Sequence, residues 1–156
     1  MRNKKIWLFN HYASEMYRSK GGRHYWFAKK LEEKDFEVTV FCASAFHKIP
    51  EQINTQGKKF IVKFDNKTPF AFVKTRPSVG NGFDRIINMY QFYKNLFPAA
   101  KGYSKLNGKP DVIVASSVHP LTMVAGIKIA RKMNIPCICE VRDLWPEAIF
   151  SFGKVK

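Results

Sequence analysis

Four side chains that could do chemistry follow two apolar runs in the second half of the chain: His119, Glu140, Arg142 and Asp143. Histidine titrates near neutral pH and could donate a hydrogen bond to a hydroxyl group or to a developing charge. Paired carboxylates beside a cation suit the recognition of hydroxyl and phosphate groups. Two ordinary alternatives stay open: His119 caps or packs the start of a helix, and Arg142 with Asp143 forms an ion pair at a strand end.

A second candidate site is the run Gly21-Gly22-Arg23, which is predicted to lie between a strand and a helix. Bare backbone N–H groups at a helix start can receive a phosphate, and Arg23 would reinforce them. The alternative is that the two glycines serve turn geometry alone. No G-x-G-x-x-G fingerprint is present, and no acidic residue follows Cys42 where a ribose contact would be expected, which counts against NAD.

The elements that position these residues alternate between strands and helices. Short apolar or β-branched runs predict four strands: Lys5–Asn10, Glu37–Cys42, Asp111–Ala115 and Ile135–Val141. A polar loop is predicted for 11–20, and the helix after it ends near Lys34 and Asp35. Ser116 and Ser117 can cap a second helix, whose first turn accepts Pro120. Two strand–helix–strand units therefore predict a Rossmann-like three-layer α/β sandwich with a mostly parallel sheet.

The segment between these units is predicted to contain a strand pair and a broad helix. The strands are 58–64 and 70–75, and the helix runs from Asp84 to about Ala100 with a loop over 101–110. The apolar residues of this helix leave only a thin polar stripe at Asp84, Asn88, Gln91 and Asn95. Such a helix requires cover on more than one side.

Charge is the unusual feature of the composition. The 156 residues contain 27 Lys and Arg against 12 Asp and Glu, a formal net charge of +15, and the apolar content of 46% excludes a disordered chain. The charge indicates an anionic partner, namely nucleic acid, an acidic lipid surface or a phosphorylated substrate, or else it serves solubility. Interleaved aromatic and basic residues suit an anionic membrane interface, although an ordinary core helix explains the same pattern.

The cysteines and the amino-terminal segment indicate the compartment. Cys42, Cys137 and Cys139 lie in apolar strand candidates, which predicts reduced, buried thiols in a cytosolic protein. The start of the chain has only four consecutive apolar residues, too few for a signal peptide. A protein that is soluble or peripheral to a membrane is expected.

The longer motifs together resemble a known family. KIWLFNHYA, EVTVFCAS, GNG-x-x-RIINM, KPDVIVASSVHP and CEVRDLWPE are similar to the amino-terminal domain of family 4 glycosyltransferases of the two-Rossmann-domain (GT-B) type. The enzymes of bacterial capsule and O-antigen assembly are the members that it resembles most. The resemblance covers 1–156 as one acceptor-side domain, and it implies a second, nucleotide-binding domain that these residues do not include.

The resemblance implies a function and a role for each candidate residue. Such enzymes move a sugar, with retention, from a nucleotide-sugar donor to a lipid-linked or growing glycan acceptor, without a protein-bound metal or another cofactor. By analogy Gly21, Gly22 and Arg23 would lie by the donor diphosphate. His119 would contact the donor sugar as the catalytic residue.

The remaining candidates would line the acceptor side of the cleft: Glu140, Arg142 and Asp143. The expected location is the cytoplasm, with peripheral contact to the inner face of the bacterial plasma membrane, and no nucleic-acid partner is expected. The chain by itself is expected to be inactive. The alternative is a binding-only Rossmann-like module for an anionic small molecule or nucleic acid.

Overall fold

The computed structural model describes residues 3–47, 49–78 and 82–142. Asp143, Trp145 and Pro146 lie outside this part of the chain. The described strands are β1 Lys5–Phe9, β2 Glu37–Ala43, β3 Phe60–Asp65, β4 Thr68–Val73, β5 Val112–Ser116 and β6 Cys137–Glu140. The described helices are α1 Ala13–Ser19, α2 Arg23–Glu32, α3 Phe83–Asn107 and α4 Pro120–Met133.

Within the described residues the six strands form one sheet in the order β3-β4-β2-β1-β5-β6. All neighbouring pairs are parallel except β3 and β4, which form an antiparallel hairpin. The order reverses between β1 and β5, because the chain first builds outward from β1 through β2 and then returns to its other side. In open α/β sheets the crevice at such a reversal is where ligands bind.

Helices cover both faces of the sheet and bury two separate apolar clusters. One cluster contains Trp7, Phe9 and Phe41 and is closed by α3 and α4. The other contains Leu8, Val40 and the residues that α1 and α2 cover. The predicted α/β fold, a Rossmann-like three-layer sandwich with a mostly parallel sheet, is confirmed.

The first predicted loop is partly helical. Residues 13–19 form α1, which ends at Lys20 in a left-handed conformation (φ 54°). The helix is held by burial of Ala13 and Ser14 and by the hydrogen bond from the Ser14 hydroxyl to the Ala45 carbonyl (3.1 Å). The interpretation of 11–20 as a loop was wrong. The seven residues of α1 have no clear apolar periodicity, and tertiary contacts stabilise this helix where the local sequence does not predict one.

The broad helix is longer than predicted. α3 continues through Pro98 and Gly102 to Asn107, where a loop over 101–110 had been expected. Proline removes one backbone hydrogen bond and favours a break. The helix persists because Tyr103, beyond the proline, is buried against Trp7 (ring centroids 5.7 Å apart) and bonds the Thr39 hydroxyl (3.0 Å).

Two further predictions need correction. Only Cys42 is fully buried, whereas Cys137 is half-buried and Cys139 is exposed, because β6 is the last strand of the described sheet and its residues are only partly covered. The cap of α4 is His119 rather than Ser116 or Ser117, and Pro120 occupies the first turn as predicted.

Candidate functional site

Polar side chains converge where β1, β5 and β6 end. Asn10 and His11 follow β1 directly, His119 follows β5, and Glu140 is the last residue of β6. The amino-terminal turns of α2 and α3 face the same edge. The parallel sheet therefore brings together residues that are more than 100 positions apart in the chain.

His119 is buried in contact with a second histidine. It is 3% exposed, and its Nε2 atom lies 2.6 Å from Nδ1 of His11. Nε2 of His11 lies 2.6 Å from Oδ1 of Asn88 on α3. Burial first, and the nearby charge of Arg85 second, lower the pKa of His119 to about 4. His119 is therefore neutral at pH 7 and does not act as a cation.

Glu140 forms the centre of a second group at the same edge. Its Oε1 accepts a hydrogen bond from Nε of Arg23 (2.5 Å), and its Oε2 lies 3.0 Å from Nε2 of His24. Partial burial would raise the pKa of Glu140, but Ser116, His24 and Arg23 outweigh it and lower that pKa. The Ser116 hydroxyl lies close enough to lower this pKa, although its geometry does not meet that of a hydrogen bond to the carboxylate.

His24 links this group to β1. The Asn10 amide Oδ1 accepts a hydrogen bond from the Tyr12 backbone N–H (2.9 Å), so its Nδ2 donates to Nδ1 of His24 (2.9 Å). His24 then carries its proton on Nε2 and donates it to Glu140. Burial is the main cause that lowers the pKa of His24, and it outweighs the attraction of Glu140. A neutral His24 fits both of its hydrogen bonds.

The two candidate glycines have different structural roles. Gly22 has φ of 94°, and a Cβ there would lie 2.9 Å from Cγ of Met16, so a side chain does not fit. The Gly21 N–H donates to the Met16 carbonyl (3.2 Å) and ends α1. Turn geometry thus explains Gly22, while α2 begins without a side-chain cap. Arg23 already faces the Glu140 carboxylate, and contact of this turn with a donor diphosphate stays a prediction.

Arg142 is anchored through its backbone. Its N–H donates to the Ser117 hydroxyl (2.8 Å), and the Ser117 N–H donates to the Glu140 carbonyl (2.9 Å). The side chain of Arg142 is exposed, and its charge contributes to the lowered pKa of His24. Arg142 therefore lies at the same edge as Glu140 and Arg23. Asp143 was predicted to join them and lies outside the described residues.

Sequence reasoning missed the residues that hold these groups in place. His11 had been assigned to a polar loop and Asn88 to a polar stripe, yet both are buried. His11 could have been found, because it follows an apolar strand just as His119 does. Asn88 gives no such signal, since its burial depends on how α3 packs.

In the part of the chain that the structure describes, three surface depressions of about 580 to 620 Å³ are lined by other residues than those of the candidate site. One of about 620 Å³ is lined by Trp7, Glu37 and Tyr103 at the opposite, amino-terminal edge of the sheet. There Lys5 pairs with Glu37 (3.3 Å). The candidate site is therefore identified by converging buried polar groups and not by concavity. Among the described residues no cluster of three or more metal-ligating side chains is present.

The chain matches no known protein family and no curated protein in sequence comparisons.

Proposed function

We propose that this chain is the acceptor-side domain of a retaining glycosyltransferase that uses a nucleotide-sugar donor and a lipid-linked or growing glycan acceptor. The observation that carries the proposal is the convergence of two polar groups at the reversal between β1 and β5. One group is the buried pair His119 and His11, and the other is Glu140 with Arg23 and His24. The motif resemblance supplies the reaction class.

The chemistry of the two groups suits this reaction. Glycosyl transfer breaks the bond between the anomeric carbon and the diphosphate, so negative charge grows on the departing oxygen. Preorganised cations and N–H groups stabilise such charge. Arg142 provides an exposed cation at the edge, and Arg23 provides a second one that is paired with Glu140. A neutral His119 provides a hydrogen-bonding group for an uncharged sugar. A second domain would supply the nucleotide site.

Transfer assays with the protein that carries this chain together with a nucleotide-binding domain test the proposal. A panel of nucleotide sugars and polyprenyl-diphosphate acceptors would be used, and product formation measured. His119→Ala is expected to lower turnover on the order of 100-fold, the size of a typical loss of one hydrogen-bonding catalytic group. Leu106→Ala, an exposed apolar residue at the far end of α3, is the matched control and should keep normal turnover.

Equal turnover in His119→Ala and the parent would remove the catalytic assignment. The alternative is a binding-only module for an anionic small molecule or nucleic acid, which the net charge of +15 favours. Tight binding of a nucleoside diphosphate or RNA by the chain, with no transfer in the complete protein, would support that alternative.

A further inference from the structure

A chain of hydrogen bonds runs inward from His119 to the backbone of the segment before α3. It passes from His119 to His11, then to Asn88, and ends at the carbonyl oxygen of Arg76. The three side chains are 3%, 1% and 4% exposed, so water does not compete for these bonds. Each bond needs one donor and one acceptor, which makes the proton positions deducible.

The orientation of Asn88 fixes the first proton. Its Nδ2 donates to the Arg76 carbonyl, so the atom facing His11 is the oxygen Oδ1. An amide oxygen carries no proton, so Nε2 of His11 must be the donor. Rotating the amide would bring two carbonyl oxygens together at Arg76 and would be unfavourable.

The second proton follows from the neutral state of His11. Burial first, and then the repulsion that a protonated His119 would exert, lower the pKa of His11 well below its ordinary value. His47 and Arg85 act in the same direction, and they together outweigh the hydrogen bond to Asn88, which raises that pKa. A neutral His11 with its proton on Nε2 has a bare Nδ1. The 2.6 Å contact therefore requires His119 to donate from Nε2.

The ring of His11 is also held in its plane. Phe92, four residues after Asn88 on α3, stacks on it with ring centroids 4.6 Å apart and planes 3° apart. Tyr12 stacks on it as well, at 4.7 Å. The ring of His119 meets it edge-on at 86°. The acceptor lone pair of His11 is thus aimed at one atom of His119.

With Nε2 used inward, the remaining ring atom of His119 is an acceptor. Its Nδ1 is buried and has no hydrogen-bond partner among the described residues. His119 is the cap residue of α4, but its side chain does not bond the first turn of that helix. An acceptor of this kind suits a neutral O–H donor and repels an ionised phosphate oxygen.

We infer that His11 and Asn88 are positioning residues that fix His119 in the tautomer protonated on Nε2, so that Nδ1 accepts a hydrogen bond from an uncharged hydroxyl group of the substrate. The hydroxyl-bearing substrate rests on the proposed function, whereas the tautomer does not. The opposite tautomer would present an N–H group and would favour an oxyanion instead.

The tautomer is measured directly in the 156-residue chain labelled with ¹⁵N-histidine. Long-range ¹H–¹⁵N correlation spectra at neutral pH show which ring nitrogen carries the proton. We expect His119 to be protonated on Nε2 in the parent chain. A parent His119 protonated on Nδ1, or a charged His119, would overturn the inference without any substitution.

Two variants of His11 separate positioning from packing. The amide oxygen of His11→Asn falls close to the place of Nδ1 and still accepts from His119, whereas His11→Leu fills the space and accepts nothing. We expect His11→Asn to keep the Nε2 tautomer and His11→Leu to give a mixture. Thermal unfolding reports whether each variant is folded. If His11→Leu is unfolded, the spectra of the parent and of His11→Asn still show which ring nitrogen of His119 carries the proton.

Transfer assays on the complete protein give the functional arm. We expect His11→Leu to lower kcat by about 10-fold or more with little change in KM, and His11→Asn to regain most of that loss. Equal kcat values for both variants, at parent level, would overturn the positioning role. Absence of transfer in the parent protein would contradict the proposed function while the measured tautomer would still test the inference.

Discussion

At the scale of single residues, the main feature is that histidines are buried in the neutral state. His11, His24 and His119 are each no more than 3% exposed, and burial is the largest cause that lowers the pKa of each. Amide side chains orient two of these imidazole rings: Asn88 forms a hydrogen bond with His11, and Asn10 forms one with His24. Buried amides beside neutral imidazoles are an effective way to define proton positions without placing charge in the core.

This arrangement predicts that the folded state loses stability in acid. An unfolded His119 binds a proton near its ordinary pKa of 6.5, whereas the folded one does so only near 4. Its contribution to the free energy of unfolding is therefore constant above about pH 6.5 and falls as the pH drops toward 4. The loss is on the order of 3 kcal/mol, from 1.36 kcal/mol per pKa unit.

Urea unfolding between neutral pH and about pH 4 measures this slope. The titratable or charged groups that face His119 are His11 and Arg85. Both are present in the parent and in a variant at position 119, so the comparison isolates the titration of His119. His119→Gln removes one titrating group, so its stability should fall less steeply than that of the parent as the pH drops. Identical slopes would mean that His119 does not resist protonation in the folded protein.

At the scale of elements, α4 lies unusually close to the sheet. A Cβ added at Gly126 would lie 2.6 Å from Cβ of Ala115 on β5 and 3.4 Å from Sγ of Cys137 on β6. The first of these atoms is fixed to a central strand and cannot move aside. Because His119 is the cap residue of α4, the distance of this helix from β5 also sets where His119 lies at the sheet edge.

Gly126→Ala is therefore expected to destabilise the protein although alanine favours helix formation. Overpacking of this kind costs about 1 to 3 kcal/mol. Gly102→Ala in α3 is the matched control, because its Cβ would meet only the ring edge of the half-buried Phe60, which can shift. Denaturant unfolding of both variants checks the prediction. A more stable Gly126→Ala would show that α4 is free to move away from the sheet.

At the scale of the whole molecule, exposed apolar residues flank the candidate site on both faces of the sheet. Trp26 and Phe27 lie on α2, close to Arg23, and are 55% and 40% exposed. Phe83, Ile86 and Tyr90 lie on the first turns of α3 and are 74%, 57% and 55% exposed. Among the described residues no helix is long and apolar enough to cross a membrane.

A chain with a net charge of +15 and exposed apolar residues around its candidate site is expected to bind anionic lipid vesicles at low salt. The double variant Phe83→Ser with Ile86→Ser should reduce binding several-fold, roughly as the loss of buried apolar area predicts. Leu106→Ser is the matched control, because Leu106 is 79% exposed, close to the 74% of Phe83, but lies at the opposite end of α3. Sedimentation with neutral and anionic vesicles gives the answer, and equal binding to both would contradict the membrane contact.

Site residues could be predicted where a local pattern places them, and could not where their position depends on contacts with distant parts of the chain. His119 and Glu140 could be identified because each lies where an apolar run ends, and a parallel sheet gathers such ends at one edge. His11 satisfies the same rule and could have been found with it. Asn88 could not, because whether one position of a mostly apolar helix faces the sheet depends on the rotation of that helix.

The sequence by itself determined the alternation of strands and helices, the parallel sheet and the positive charge, since periodicity and composition are local properties. Only the tertiary structure decided that α3 continues past Pro98, that Arg23 pairs with Glu140, and that His119 meets His11. The physical reason is that these contacts join residues far apart in the chain. Their geometry depends on strand order and helix packing, neither of which a local pattern of residues specifies.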